Sequence, residues 1–268
     1  MPLLEHLPAL ARSPREPGPW SRWAGALLDL VFPPFCAVCR APLDDRRRGP
    51  LCAQCWAALE RIGPPWCRLC GVPAAAALGA GGSGPARPRE HLCSSCRSRA
   101  PVFAYARAAT RYGDVVREAL HALKFKGRRP LAAVLADLLL EAPEMRLPLG
   151  LPDLLVPVPL HRRRRRERGF NQASLLAHRI GRAWGLPVAD DVLARVVATP
   201  SQTALEARAR RANVRGAFRL RRPEAVAGRH VVVVDDILTT GATVSECALT
   251  LKAGGAATVG VLTIARVA

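Results

Sequence analysis

Lysine is scarce in this 268-residue chain: of its 40 basic residues only Lys124, Lys126 and Lys252 are lysine, and the rest are arginine. Alanine, glycine and proline are abundant, so a bias toward GC-rich codons accounts for arginine standing in for lysine. It does not account for a net charge of +19 against only 21 acidic residues. That excess favours a polyanionic partner, nucleic acid or pyrophosphate, or else a generally basic solvated surface. Aromatic residues are also few, at 5%, which weighs against a dedicated stacking platform for single-stranded nucleic acid. No apolar run approaches the roughly 20 residues needed to cross a bilayer, and no basic segment leads into an apolar core with a cleavage site. A cytoplasmic protein without a membrane span is therefore expected. The Gly-Lys-Ser/Thr of a Walker loop and the GxGxxG of a dinucleotide fingerprint are both missing, which removes those two nucleotide sites.

Cysteine is not scarce. Eight of the nine form four CxxC pairs: Cys36/Cys39, Cys52/Cys55, Cys67/Cys70 and Cys93/Cys96. In a cytoplasmic chain such pairs argue for metal rather than disulfides. One CxxC knuckle presents two thiolates at a tetrahedral edge and two knuckles complete a structural zinc site, so four pairs imply two zinc ions. Separations of 12 residues within the first two pairs and 22 within the last two suit zinc ribbons. Sequential pairing is the preferred arrangement, with an interleaved one left open. The region has few apolar residues besides Trp56 and Trp66 and needs metal to fold. Cys247 stands alone and reads as a small core residue. Trp20 to Phe32 has the spacing of a short amphipathic helix, and AAAALGAGGSGPARP, after Val72, reads as a mobile low-complexity loop. The expected organisation is an amino-terminal extension over 1–33, a double zinc ribbon over 34–100 and an α/β domain over 101–268.

Within the α/β domain the densest information lies in VVVVDDILTTGAT, from Val231 to Thr243. Four β-branched residues in a row predict a strand buried on both faces, as in a parallel sheet covered by helices. Asp235 and Asp236 then stand at its carboxyl end, where open α/β sheets bind ligands and where helix amino-termini point free N–H groups outward. Thr239, Thr240, Gly241, Ala242 and Thr243 suit a loop whose N–H groups and hydroxyls converge on one phosphate. The two acids repel a phosphate. They suit ribose hydroxyls, or a magnesium ion bridging to a pyrophosphate. The segment resembles the phosphoribosyl pyrophosphate (PRPP) signature of type I phosphoribosyltransferases. By that resemblance Asp235 and Asp236 hold the ribose and Thr239 to Thr243 the 5′-phosphate.

Further elements are expected as a strand or hairpin arm in Phe103–Tyr112, helices at Val115–Leu123 and Leu131–Leu140, a strand at Leu154–Val158 and a final strand at Ala257–Val267. Asn171–Trp184 reads as an amphipathic helix with Leu175, Leu176, Ile180 and Ala183 inward. Between strand and helix, His161 to Gly169 is expected as a loop. Its arginines, among them Arg162, Arg166 and Arg168, suit a leaving pyrophosphate, which needs several cationic donors. Not all of the five consecutive arginines can face one pyrophosphate, and such a run is otherwise a solvated or nucleic-acid-binding face. Gln202 to Phe218 suits equally a loop closing over a ligand and an exposed helix.

The CxxC pairs, LKFKG at Leu123, VPVPL at Val156, RGFNQA at Arg168, QTxL at Gln202 and VVVVDDILTTGAT, taken in order, resemble the competence protein ComF family. The likeness runs from about Leu27 to Ala268. It departs from the family pattern in the glycine-rich insertion before Cys93 and at Glu206 and Ala207. The resemblance implies a double zinc ribbon ahead of a type I phosphoribosyltransferase-like parallel sheet flanked by helices. It further implies a role in the uptake or processing of single-stranded DNA, beside a helicase-like partner and with PRPP and magnesium as ligands. The other reading is an active phosphoribosyltransferase of nucleotide metabolism or salvage.

Overall fold

The computed structural model describes residues 34–74, 90–142, 147–198 and 214–267. The expected helix at Trp20–Phe32, the low-complexity stretch and most of the Gln202–Phe218 segment lie outside the described residues. Among those described, no helix is long and apolar enough to cross a membrane.

In chain order the strands are β1 (Trp66–Cys67), β2 (Glu90–His91), β3 (Tyr105–Arg111), β4 (Leu154–Pro157), β5 (Leu193–Arg195), β6 (Phe218–Leu220), β7 (His230–Leu238) and β8 (Thr258–Arg266). Four of them form the central sheet in the order β3-β8-β7-β4, every neighbour pair parallel. The run Val231–Val234 is the buried heart of β7, each valine wholly inaccessible. Alternation along a strand sends successive side chains to opposite faces. Val232 and Val234 join the core built on helices Asp114–Phe125, Leu131–Leu140 and Gln172–Trp184. Val231 and Val233 join the other, made by helix Ala242–Ala253 with the β5–β6 hairpin. Covering both faces is what turns the usual in–out pattern into an unbroken apolar run.

Two sequence-based expectations change. The segment expected as a loop from His161 to Gly169 contains a helix, Arg162–Arg168. Arginine is a good helix former. The His161 ring nitrogen accepts from the Arg163 N–H at 3.3 Å, Arg163 pairs with Glu167 one turn on, and Gly169 ends the helix at φ +80°. In helix Gln172–Trp184, Ala183 is exposed rather than inward. The buried stripe is Ala173, Leu176, Ala177, Ile180 and Gly181, at helical spacing, and position 183 falls off it.

The cysteine-rich module is built into the same core. Cys36, Cys52 and Cys55 are buried with the leucines of helices Asp114–Phe125 and Leu131–Leu140. Its second half lies along β3. The N–H of Ile62 donates to Ala109 O at 2.9 Å, that of Arg111 to Glu60 O at 2.8 Å, and that of Ala106 to Leu69 O at 2.7 Å. Gly71, at φ +68°, packs so close that a Cβ there would lie 2.4 Å from the Ala106 carbonyl oxygen. An edge that would otherwise present unpaired backbone groups is thereby covered.

Candidate functional site

Strand parity separates the two acids. Asp236, on the face of Val232 and Val234, is buried, and its carboxylate meets the ammonium of Lys124 from the end of helix Asp114–Phe125. Its other oxygen accepts from Gln172 Nε2 at 3.3 Å, and Gln172 Oε1 in turn accepts from Arg168. Burial alone would raise the Asp236 carboxyl, but Lys124 and these hydrogen bonds hold it below the usual carboxylate range. Asp235 faces the other way, and one of its oxygens accepts the Asp236 N–H at 2.9 Å. Burial first, then the charge of Asp236, push its carboxyl well above the ordinary value.

Beyond the acids, β7 ends at Leu238 and Gly241 turns the chain at φ +75° into the 12-residue helix Ala242–Ala253. Thr239, Thr240 and Thr243 are half-buried around that helix start, and Thr240 Oγ1 accepts from the Ala242 N–H at 3.4 Å. The first-turn N–H groups of this helix lack acceptors four residues back and favour an anion. All five predicted loop residues, Thr239, Thr240, Gly241, Ala242 and Thr243, thus lie together where β7 gives way to the helix that packs on the face of Val231 and Val233, the face of Asp235 by strand parity.

The arginines divide by helix face. A cavity of about 900 Å³ opens between helix Arg162–Arg168 and the β5–β6 hairpin, and Arg162, Arg165, Arg195 and Arg221 line it with Leu160 and Leu193. Neither acid nor the threonine loop lines that cavity. Burial and then repulsion from Arg164 lower the Arg195 guanidinium while Asp235 draws it the other way, so this cavity arginine feels the charge of Asp235. Of the three arginines singled out from sequence, Arg162 lines the cavity, Arg168 belongs to the Asp236 network, and Arg166 is exposed and lines neither. Residues without an assigned role in the sequence come forward: Lys124, Gln172, Arg195 and Arg221. The rarity of lysine and the LKFKG motif at Leu123 were the signals that could have marked Lys124.

The cysteines gather sequentially into two clusters, Cys36, Cys39, Cys52, Cys55 and Cys67, Cys70, Cys93, Cys96, with the sulfurs of each within 4.8 Å of one another. The Cys52 and Cys93 sulfurs cap short helices, accepting from the Cys55 and Cys96 N–H groups at 3.4 Å. Burial raises every buried thiol, but N–H groups of Cys52, Cys39 and Val38 bring Cys36 down to about 6. Those of Cys70, Cys93 and Leu69 bring Cys67 to about 7. Cys55 and Cys96 are pushed far up by burial and by the neighbouring sulfurs. Four sulfurs so close cannot all ionise without a cation among them, and the tetrahedral thiolate set is that of structural zinc.

Residues 27–97 match the family model described as a double zinc ribbon domain, and residues 168–268 the one described as a phosphoribosyl transferase domain. The DNA utilization protein YhgH of Salmonella typhimurium is 39% identical over 244 residues, covering 88% of this chain and 99% of that protein. YhgH of Escherichia coli K12 is 40% identical over 180 residues, or 66% of this chain and 78% of that one. Competence protein F of Haemophilus influenzae is 37% identical over 119 residues, 44% of this chain and 52% of its own length.

Proposed function

Since the chain belongs to the family of the DNA utilization protein YhgH and competence protein F, we propose that it binds PRPP or another 5-phosphorylated ribose and acts in the uptake or use of single-stranded DNA. The observation that carries the ligand is the loop Thr239–Thr243, where Gly241 turns in the left-handed region and a 12-residue helix begins on the sheet face of Asp235. In this reading the loop N–H groups and hydroxyls take the 5′-phosphate. Asp235 accepts the ribose hydroxyls, and Asp236 sets the positions of Lys124, Gln172 and, through Gln172, Arg168.

Where PRPP is the ligand, magnesium accompanies its pyrophosphate and neutralises it. Arg195, which feels the charge of Asp235, supplies further positive charge, and Arg162 and Arg165 line the same cavity. Displacement at the anomeric carbon passes through a cation-like ribose, so positioning and neutralisation of the leaving pyrophosphate carry any catalysis, with no protein nucleophile. DNA, and a helicase-like partner, belong to the same reading. The names of the relatives and the net charge of +19 support the DNA.

The test is calorimetry of the zinc-loaded chain with magnesium and PRPP. Binding that vanishes in Asp235→Asn is expected, and no heat with the wild-type chain would remove the proposal. The second reading, an active phosphoribosyltransferase of nucleotide metabolism, predicts pyrophosphate release with a free base. DNA utilisation without transfer predicts none.

A further inference from the structure

A phosphoribosyl site of this kind is expected to bring a divalent cation to its acid pair, and the acid pair of this chain is already engaged. One oxygen of Asp236 meets the Lys124 ammonium and the other meets Gln172 Nε2 at 3.3 Å. Magnesium demands near-octahedral oxygen ligands at about 2.0–2.1 Å and gives up water reluctantly. An ammonium on the same carboxylate both occupies the oxygen and repels the ion. Asp236 therefore does not fit a magnesium ligand.

Lys124 is held in place. It sits in the last turn of helix Asp114–Phe125, and the next residue, Phe125, lies under the Arg168 guanidinium at 5.4 Å. Arg129 stacks over Phe170 at 4.9 Å in the reverse sense. The segments 124–129 and 168–172 thus interlock through two arginine–phenylalanine contacts, and Arg168 closes the circuit to Asp236 through Gln172. In a chain where nearly every cation is arginine, the one set half-buried against this acid is a lysine. A compact point charge fills that place, which the wide guanidinium fork would overfill.

We propose that Lys124 is the resident cation of the acid pair, so that a 5-phosphorylated ribose binds at the Thr239–Thr243 loop without magnesium, with Asp235 alone left to meet the ribose hydroxyls. This rests on the phosphoribosyl reading above. Magnesium then enters only with a ligand that carries its own pyrophosphate.

Ribose 5-phosphate, which has no pyrophosphate, is the probe. It is titrated calorimetrically into the full zinc-loaded chain in magnesium-free buffer without chelator, and again with millimolar magnesium. The wild-type chain is expected to bind equally in both, while Lys124→Met loses about tenfold in the magnesium-free buffer and recovers when magnesium is added. The double variant Lys124→Met/Asp236→Asn removes both charges of the pair, guards against a failure to fold, and is expected to be indifferent to magnesium. Wild-type binding about tenfold tighter in magnesium would overturn the proposal and leave the phosphoribosyl reading standing. Equal binding of Lys124→Met in both buffers would also overturn it. Absence of wild-type binding in both buffers would remove the two together.

Discussion

The guanidinium of Arg266 donates to the sulfur of Cys70 at 3.3 Å, and the same residue pairs with Leu238 in the sheet. A side chain of β8 thus links a zinc-ligating sulfur to the strand that ends in the threonine loop. A charged donor to a thiolate contributes about 1.5–3 kcal/mol. Arg266→Leu is expected to lose zinc to a chromophoric chelator about tenfold faster than wild type. Rates equal to wild type would show that the contact does not hold the metal.

Two glycines in the left-handed region distinguish strain from collision. A Cβ at Gly127, φ +63°, meets nothing within 4 Å, whereas one at Gly71 would collide with the Ala106 carbonyl. Gly127→Ala should cost about 1 kcal/mol through strain alone. Gly71→Ala should cost several times that, because the ribbon must lift from β3. Denaturant midpoints of the two variants decide it, and equal losses would mean that the ribbon yields freely.

Opposite parity makes the acids unequal under the same substitution. Asp235 is already pushed toward its neutral form by burial and by Asp236, so Asp235→Asn should fold with near wild-type stability and lose ribose 5-phosphate. Asp236→Asn leaves the half-buried Lys124 ammonium without its carboxylate and should cost up to about 3 kcal/mol. Urea unfolding followed by circular dichroism separates them. Equal destabilisation would contradict the assignment of Lys124 to Asp236.

If DNA uses the cavity arginines, affinity for an oligodeoxynucleotide falls steeply with salt, and each phosphate contact contributes about 0.7 to the slope for a single strand. Arg162→Ala and Arg165→Ala should each lower the slope by roughly one contact, while Arg166→Ala, away from the cavity, leaves it unchanged. A shallow wild-type slope, or equal effects at all three positions, would place the DNA elsewhere.

His230, at the start of β7, shares a 3.0 Å hydrogen bond with the Tyr105 hydroxyl. Burial lowers its pKa, with Asp153 opposing. The folded chain therefore binds the proton less readily than the unfolded one. The contribution of His230 is complete above the unfolded value of about 6.5 and is lost as pH falls through it toward the folded pKa. His230→Asn should lose less stability than wild type on acidification from about pH 7.5 to 5.5, by denaturant midpoint. Parallel curves would show that the ring does not titrate differently on folding.

The buried strand of β7 and the four CxxC knuckles were legible because local chemistry decides them: an unbroken valine run needs cover on both faces, and a knuckle brings its own two sulfurs together. Spacing leaves open which knuckle joins which, and the structure pairs them sequentially. The helix at Arg162–Arg168 was not, since its charge run masks good helix propensity and its stop signal is a single glycine. Nor was the contact of Lys124 with Asp236 visible, joining residues 112 positions apart through the packing of two helices on one sheet face. Parity along β7 does separate Asp235 from Asp236 in principle. What alternation cannot say is which helix comes to lie on which face.

The ribbon that lies along β3 also decides what a shortened chain would do. A fragment beginning near Pro101 would display the whole rim of that strand, with the amide of Ala106 and the carbonyl of Ala109 looking for partners. Another copy of the same fragment is the nearest source of them. Loss of metal from the ribbon would open the same rim in the intact chain, so that starvation for zinc would show first as clumping of otherwise folded molecules.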